Sequence, residues 1–209
     1  MSENMKKESY YPYQFTRVDG RNVFMEAIDK SFQIDKMLIN FCKYDGNTRK
    51  MDYTIPIYFE IPDFLYLSSI IQNGVLYKQI AKAKAAGDNY KEVYSKYTGI
   101  PVSKVGMYKD RLPFDVPQGK GVSKVFSITP SSKYAYYFKA SMGLGDESEK
   151  GILIPSGKPL ATIAIPLTQE AAVGFFRFCE VKMQAFYAAK MCFNATYYPE
   201  MAFIEKKNN

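Results

Sequence analysis

Lys50-Met51-Asp52-Tyr53-Thr54-Ile55-Pro56-Ile57 and Lys158-Pro159-Leu160-Ala161-Thr162-Ile163-Ala164-Ile165 stand 108 residues apart in a chain of 209. Each is a short alternating stretch rich in β-branched residues. Each runs directly into a long amphipathic stretch, the first ending near Ala81-Lys82 and the second near Ala189-Lys190. Alternation at period two predicts a strand, and apolar recurrence at three and four residues predicts a helix. A strand feeding a helix twice, about half a chain apart, predicts an internal repeat. The expected fold class is α+β, with two repeats of an antiparallel β-sheet followed by one long helix.

Upstream of the first stretch, Met37, Ile39 and Phe41 alternate with Lys36, Asn40 and Cys42, so Lys36 to Tyr44 reads as a strand. Asp45-Gly46-Asn47 is a hairpin turn, because Gly and Asn tolerate positive φ. The next strand is Tyr53 to Ile61, with Tyr53, Ile55, Ile57, Phe59 and Ile61 on one face. Pro56 cannot donate to a ladder, which puts this strand at an edge or a bulge. Tyr13 to Val18 is expected to be a first strand, and Asn22 to Asp35 fits a helix or a strand. Pro62-Asp63 opens the first helix with Asp63 as cap, and Gly87 stops it.

Residues 88–122 read as a connector, with a short helix at Tyr90 to Lys96 and a short strand at Val102 to Tyr108. Strands are expected at Lys124 to Thr129, Lys133 to Ala140, Ile152 to Pro155 and Leu160 to Leu167. Met142 to Gly151 reads as a polar, mobile loop. Thr168 caps the second helix, Gln169 to about Met191. Val173, Phe176, Met183, Phe186 and Tyr187 nearly encircle that helix, which suits burial or packing on a partner. The expected organisation is a flexible arm (1–12), a first sheet-plus-helix unit (13–87), the connector (88–122), a second unit (123–192) and a tail (193–209). The two units are expected to form one compact domain.

Composition narrows the function. The net charge is +7, which favours anionic partners such as nucleic acid or an anionic membrane surface. Tyr (18) and Phe (15) are abundant, while Trp and His are absent. Without His, Ser-His-Asp and Cys-His nucleophile systems are excluded, and so are the common His-bearing zinc sites. The cysteines Cys42, Cys179 and Cys192 are widely spaced and form no Cys-x-x-Cys pair. They read as reduced thiols, with Cys179 and Cys192 as small core residues. No signal peptide and no apolar run of transmembrane length is visible, so the protein is expected to be soluble and cytoplasmic.

The most function-like segment is Lys133-Tyr134-Ala135-Tyr136-Tyr137-Phe138-Lys139. At period two, Tyr134, Tyr136 and Phe138 share one face, and Lys133, Tyr137 and Lys139 the other. A face of ammonium groups and rings suits a single strand, since lysines track phosphates and rings stack on bases. The first unit offers a counterpart in Lys36, Lys43, Tyr44, Arg49, Lys50 and Tyr53, and Lys124 adds to the second. The plainer alternative is an amphipathic sheet with solubilising lysines. Gly119-Lys120-Gly121, Gly143-Leu144-Gly145 and Gly157-Lys158 lack the strand-to-helix frame of a dinucleotide or P-loop site. Asp63 and the Glu180-Val181-Lys182 run suggest a metal nuclease only weakly, because Glu180 falls mid-helix, where residues two apart do not share a face. Asp146, Glu147 and Glu149 lack calcium-loop spacing.

Several strands followed by one long helix, twice over, resemble the Whirly and PUR-alpha-like single-stranded DNA-binding families. The positive-cofactor type of transcriptional coactivator has one copy of a similar unit. The resemblance covers about residues 13 to 192 as an order of elements. It implies curved sheets that present basic and aromatic residues to nucleic acid, and helices that hold copies together. The Lys-Gly-Lys-Ala-type motif of plant Whirly proteins is absent from a matching strand, so no residue role is carried over. The expectation is a non-enzymatic protein that binds single-stranded DNA or RNA with low sequence specificity. It needs no cofactor or metal, and forms a homo-oligomer through its long helices, away from membranes. The alternatives are an assembly protein of a phage or mobile element, and an enzyme that uses carboxylates and a divalent metal.

Overall fold

Alternation builds the first sheet. The computed structural model describes residues 13–149 and 151–197, with side chains to Cys192. Strands β1 (Gln14–Asp19), β2 (Val23–Ile28), β3 (Lys36–Tyr44) and β4 (Met51–Glu60) form an antiparallel meander in that order. Met37, Ile39 and Phe41 on β3 and Ile55, Ile57 and Phe59 on β4 are fully buried. The ambiguous stretch at 22–35 divides into strand β2 and a 3-10 turn, Asp29–Ile34. Ser31 holds that turn, donating to the Ile28 carbonyl and accepting from the Leu38 N–H, both at 3.0 Å. Pro56 sits on β4, the outer strand of this sheet, where its missing N–H breaks no ladder.

The first helix is broken in two. Helix α1 (Ile61–Gln72) ends at Asn73, and α2 (Val75–Ala85) starts after Gly74 at φ 70. A left-handed residue cannot continue an α-helix, and glycine adopts that conformation without a Cβ clash. Asp63 is not a side-chain cap but an acidic first-turn residue, paired with Lys96.

The connector reverses both expectations placed on it. Tyr94–Ile100 is strand β5, paired with the strand that follows it, and Tyr94, Lys96, Thr98 and Ile100 alternate inward. Val102 to Arg111 is a run of helical turns that includes the short helix α3 (Val105–Tyr108). Pro101, extended at ψ 155, separates the two. Strand β6 (Gly121–Pro130) pairs with β5 and with β7 (Tyr136–Glu147). β7 starts at Tyr136 rather than Lys133, and it runs through most of the expected mobile loop. Gly143 and Gly145 permit this. A Cβ at Gly143 would stand 3.3 Å from the Pro159 backbone, and one at Gly145 3.0 Å from Ser123. Strands β8 (Leu153–Pro155) and β9 (Ala161–Leu167) both pair with β7 and complete a five-stranded sheet.

Helix α4 (Gln169–Tyr197) closes the fold and extends past the expected tail boundary at 193. Thr168 Oγ1 accepts from the Ala171 N–H at 3.2 Å, as its capping role requires. Ala172, Phe175, Phe176, Cys179 and Met183 face the core. Gln169 ties three elements together. Its Oε1 accepts from the buried Tyr136 hydroxyl, and its Nε2 donates to the Ile71 carbonyl at 3.2 Å. Cys192 is exposed, against the core position expected for it. The remaining arm and tail residues, 1–12 and beyond 197, lie outside the described residues.

The fold class is as expected: α+β, two antiparallel sheets of four and five strands, and a long C-terminal helix. One ring cluster joins them. Phe126 of β6 lies 5.8 Å from Phe41, 5.5 Å from Phe59 and 5.8 Å from Phe138. Phe138 meets Phe176 of α4 at 5.9 Å, and Phe176 stacks on Phe64 of α1 at 5.4 Å. Phe126→Ala should therefore lose about 3–5 kcal/mol of stability, read by urea unfolding. A loss of under about 1 kcal/mol would mean that the sheets hold together without this ring.

Candidate functional site

The inward face of β6 is Val122, Lys124, Phe126 and Ile128, and all four are buried. Three continue the core. The fourth, Lys124, lies where the ring cluster ends and a cleft of about 790 Å³ begins. One wall is the β3–β4 surface whose residues alternate with the core set, including Asn40, Thr54 and Tyr58. The other wall is the β5 end of the second sheet, with Lys96 and Thr98. The helical turns after Pro101 border the cleft with Lys104, Tyr108 and Arg111.

The electrostatics are lopsided. Lys36 pairs with Glu60 at 2.9 Å, and Lys96 pairs with Asp63. The side chains of Lys104, Arg111 and Lys124 have no ion pair or hydrogen bond among the described residues. Burial, Tyr108 and, in the opposite sense, Lys36 and Arg111 all act on the Tyr58 hydroxyl, with a net upward shift. These groups therefore share one part of the cleft. Tyr58 and Tyr108 are 39% and 37% exposed, enough to offer ring surface to a ligand, while Tyr97 alternates with the inward Lys96 and Thr98 and turns its ring to the other face of β5.

Lys124 is the unusual member. It is 7% exposed. Its cross-strand neighbour is Thr98, whose Oγ1 is buried and has no hydrogen-bond partner. Burial alone lowers the ammonium from 10.5 to about 8. A buried cation with no anion beside it weakens the fold that holds it.

The ten residues expected in the two units' nucleic-acid surfaces stand in several places. Lys36 and Lys124 line the cleft. Lys43 pairs with Asp52 at 3.8 Å and lies 5.5 Å from the Tyr53 ring centre. The Tyr53 hydroxyl donates to the Thr162 carbonyl at 3.1 Å, which joins the two sheets. The Tyr44 ring packs 6.2 Å from Phe24. Arg49 and Lys50 stand in the exposed hairpin turn. Lys133 is in the bend before β7, while Tyr137 and Lys139 are on the outer face of the second sheet. Lys139 pairs with Glu92 at 3.5 Å. Tyr136 and Phe138 are core, as the alternation requires, but Tyr134 precedes the strand.

Reasoning from sequence did not place Tyr58, Lys96, Lys104, Tyr108 or Arg111 in the site. A signal existed for three of them. Lys104, Tyr108 and Arg111 are spaced four and three apart, which is one helical face. Reading that segment as a strand hid it. Among the described residues no cluster of three or more potential metal ligands exists, and no helix is long and apolar enough to cross a membrane. Cys42 and Cys179 are buried, and burial raises both thiols, Cys42 to about 12, so neither is a ready nucleophile. No protein-family model matches this chain, and no curated protein or solved structure matches it either.

The unfolded chain holds a proton on Lys124 that the folded chain has released between about pH 8 and 10.5. Stability therefore gains from this group as pH rises through that window, and the penalty is full below it. Lys124→Met should be more stable than the parent at neutral pH, and the gap should narrow towards about pH 10. Urea titrations of both chains across this range measure the gap. A gap independent of pH would mean that Lys124 is solvated.

Proposed function

We propose that the protein binds single-stranded nucleic acid, DNA or RNA, with low sequence specificity, along the cleft between β3–β4 and β5. The observation that carries this reading is the pairing of unneutralised cations with exposed rings. Lys104 and Arg111 border the cleft without a described acidic partner, and the half-exposed Tyr58 and Tyr108 line it with them. Cations track phosphates and release counterions, while tyrosines accept any base on their faces. The net charge of +7 supports a polyanionic partner. An antiparallel sheet followed by helix, twice, is also the order that the Whirly and PUR-alpha resemblance implies. The cleft, rather than the outer face of Lys133, Tyr137 and Lys139, is the better platform. Lys139 already has Glu92 for a partner, and Lys133 lies off the strand.

Self-association is part of the same reading. Helix α1 packs on α4 within the chain, so that helix contact is already used. Phe178 and Val181 on α4 nevertheless remain 51% exposed, and Met191 71%. These apolar side chains support contact between copies. The assembly-protein alternative draws on the same surface.

Anisotropy of a labelled strand of about 30 nucleotides and of its duplex, over a salt series, tests the binding. The expected result is preference for the single strand, with log affinity falling by about 0.7 per neutralised phosphate per log unit of salt. Replacing Lys104 and Arg111 together by Ala should remove about two contacts from that slope. Tyr108→Ala should cost about 1–3 kcal/mol of binding. Absence of binding at low salt would remove the proposal, and light scattering across a concentration series would then test the assembly reading alone.

A further inference from the structure

Lys124 is placed where a strand lying across the cleft has no cause to reach. Its inward neighbours along β6 are Val122 and Phe126, fully buried in the core, and only 7% of Lys124 itself is exposed. The side chain has no acidic or hydrogen-bonding partner among the described residues, and Thr98 beside it has an unpaired hydroxyl. A ligand group that reaches this position is compact and projects from its parent. Lys104 and Arg111 border the same cleft, so a group with more than one negative charge suits it better than a single charge. A carboxylate carries one, and the internal diester of a nucleic acid carries one and is flanked by chain on both sides. A phosphate monoester is compact, terminal and close to doubly charged at neutral pH.

We propose that the floor of the cleft is a subsite for a phosphate monoester, seated on Lys124. The parent molecule is then either the phosphorylated end of a strand or a single nucleotide. A cleft of about 790 Å³ is large enough to enclose the latter. The strand-end form rests on the proposed nucleic-acid reading, and the nucleotide form does not. The dianion restores the partner that the buried ammonium lacks, so binding favours the charged amine and draws a proton from solvent near pH 8.

The test compares otherwise identical oligonucleotides of about ten residues with a 5′-phosphate, a 3′-phosphate or hydroxyl ends, alongside deoxyadenosine 5′-monophosphate and deoxyadenosine. The expected result is at least a tenfold preference for a phosphorylated ligand over its hydroxyl counterpart. That ratio should collapse towards one in Lys124→Met and Lys124→Gln, because the ratio within each variant cancels any general effect of the substitution. Calorimetry in two buffers of different ionisation enthalpy should show uptake of about half a proton near pH 8 in the parent and none in the variants. Preference for a phosphorylated strand without nucleotide binding assigns the site to strand ends, and nucleotide binding assigns it to the free ligand. If strands bind but neither their phosphorylated ends nor the phosphate of the nucleotide adds anything, the subsite is overturned while the nucleic-acid reading stands. If only the nucleotide binds, the reverse holds. A preference that survives both variants overturns the assignment to Lys124.

Discussion

The rings around Phe126 set the geometry on which everything else depends. Phe126 touches rings from β3, β4 and β7, and through Phe138 and Phe176 the contact continues to α4 and α1. Large flat side chains fill the space between the inward faces of the two sheets at core density. The rings stop part-way along the second sheet. Along β6 that point falls between Phe126 and Lys124. The cleft opens on the other side of β4 from the rings: its wall is the β3–β4 face of Asn40, Thr54 and Tyr58, which alternates with the core face, and Lys124 and Thr98 meet it from the second sheet. The abundance of Phe is largely accounted for by this core, whereas Tyr136 is the one tyrosine buried in it among the described residues. Among the exposed tyrosines, Tyr58 and Tyr108 border the cleft.

Much of the fold is legible in the sequence wherever one strand face is buried and the other is wet. β3, β4 and β9 alternate cleanly, so their existence and their inward faces follow from period two. Thr168 marks the start of α4 for the same local reason: its hydroxyl caps the first turn. The failures share a cause too. Tyr90 to Lys96 is polar on both possible faces, and β5 exists because β6 pairs with it. Gly143 and Gly145 look like loop residues until the backbones that approach them are known. Gly74 breaks the first helix through its φ of 70, while Gly174 lies inside α4 without consequence. A glycine in a helical pattern does not say which of these it will do.

The site is less legible than the fold, because a cleft is a tertiary fact. Its walls come from residues 34–60, 96–112, 124 and 142, and nothing local reports that these meet. Candidate lysines on alternating strands look alike in sequence, yet Lys43, Lys96 and Lys139 each find a carboxylate. Neutralisation by a neighbour from another element is what separates a solvated surface charge from a cation still available to a ligand. Lys124 and Lys36 were among the expected residues and do line the cleft. What distinguishes Lys124 is its burial, and burial depends on the sheet opposite.

A lysine at position 124 weakens the empty protein. The row Val122, Phe126, Ile128 would be continued by any apolar side chain of similar length without desolvating a charge. Binding of an anion there and folding of the chain are therefore linked. Whatever pairs with the ammonium binds the folded state and not the unfolded one, and so raises stability by mass action. Lys104 and Arg111 differ in kind. They are exposed, they lose little water on meeting a phosphate, and their contribution is screened by salt. The cleft thus combines two electrostatic regimes, a screened border that attracts a polyanion and a desolvated floor that discriminates among anionic groups. Affinity at the border should fall steeply with ionic strength, and selectivity at the floor should not, because a buried pair is shielded from the ions that weaken an exposed one.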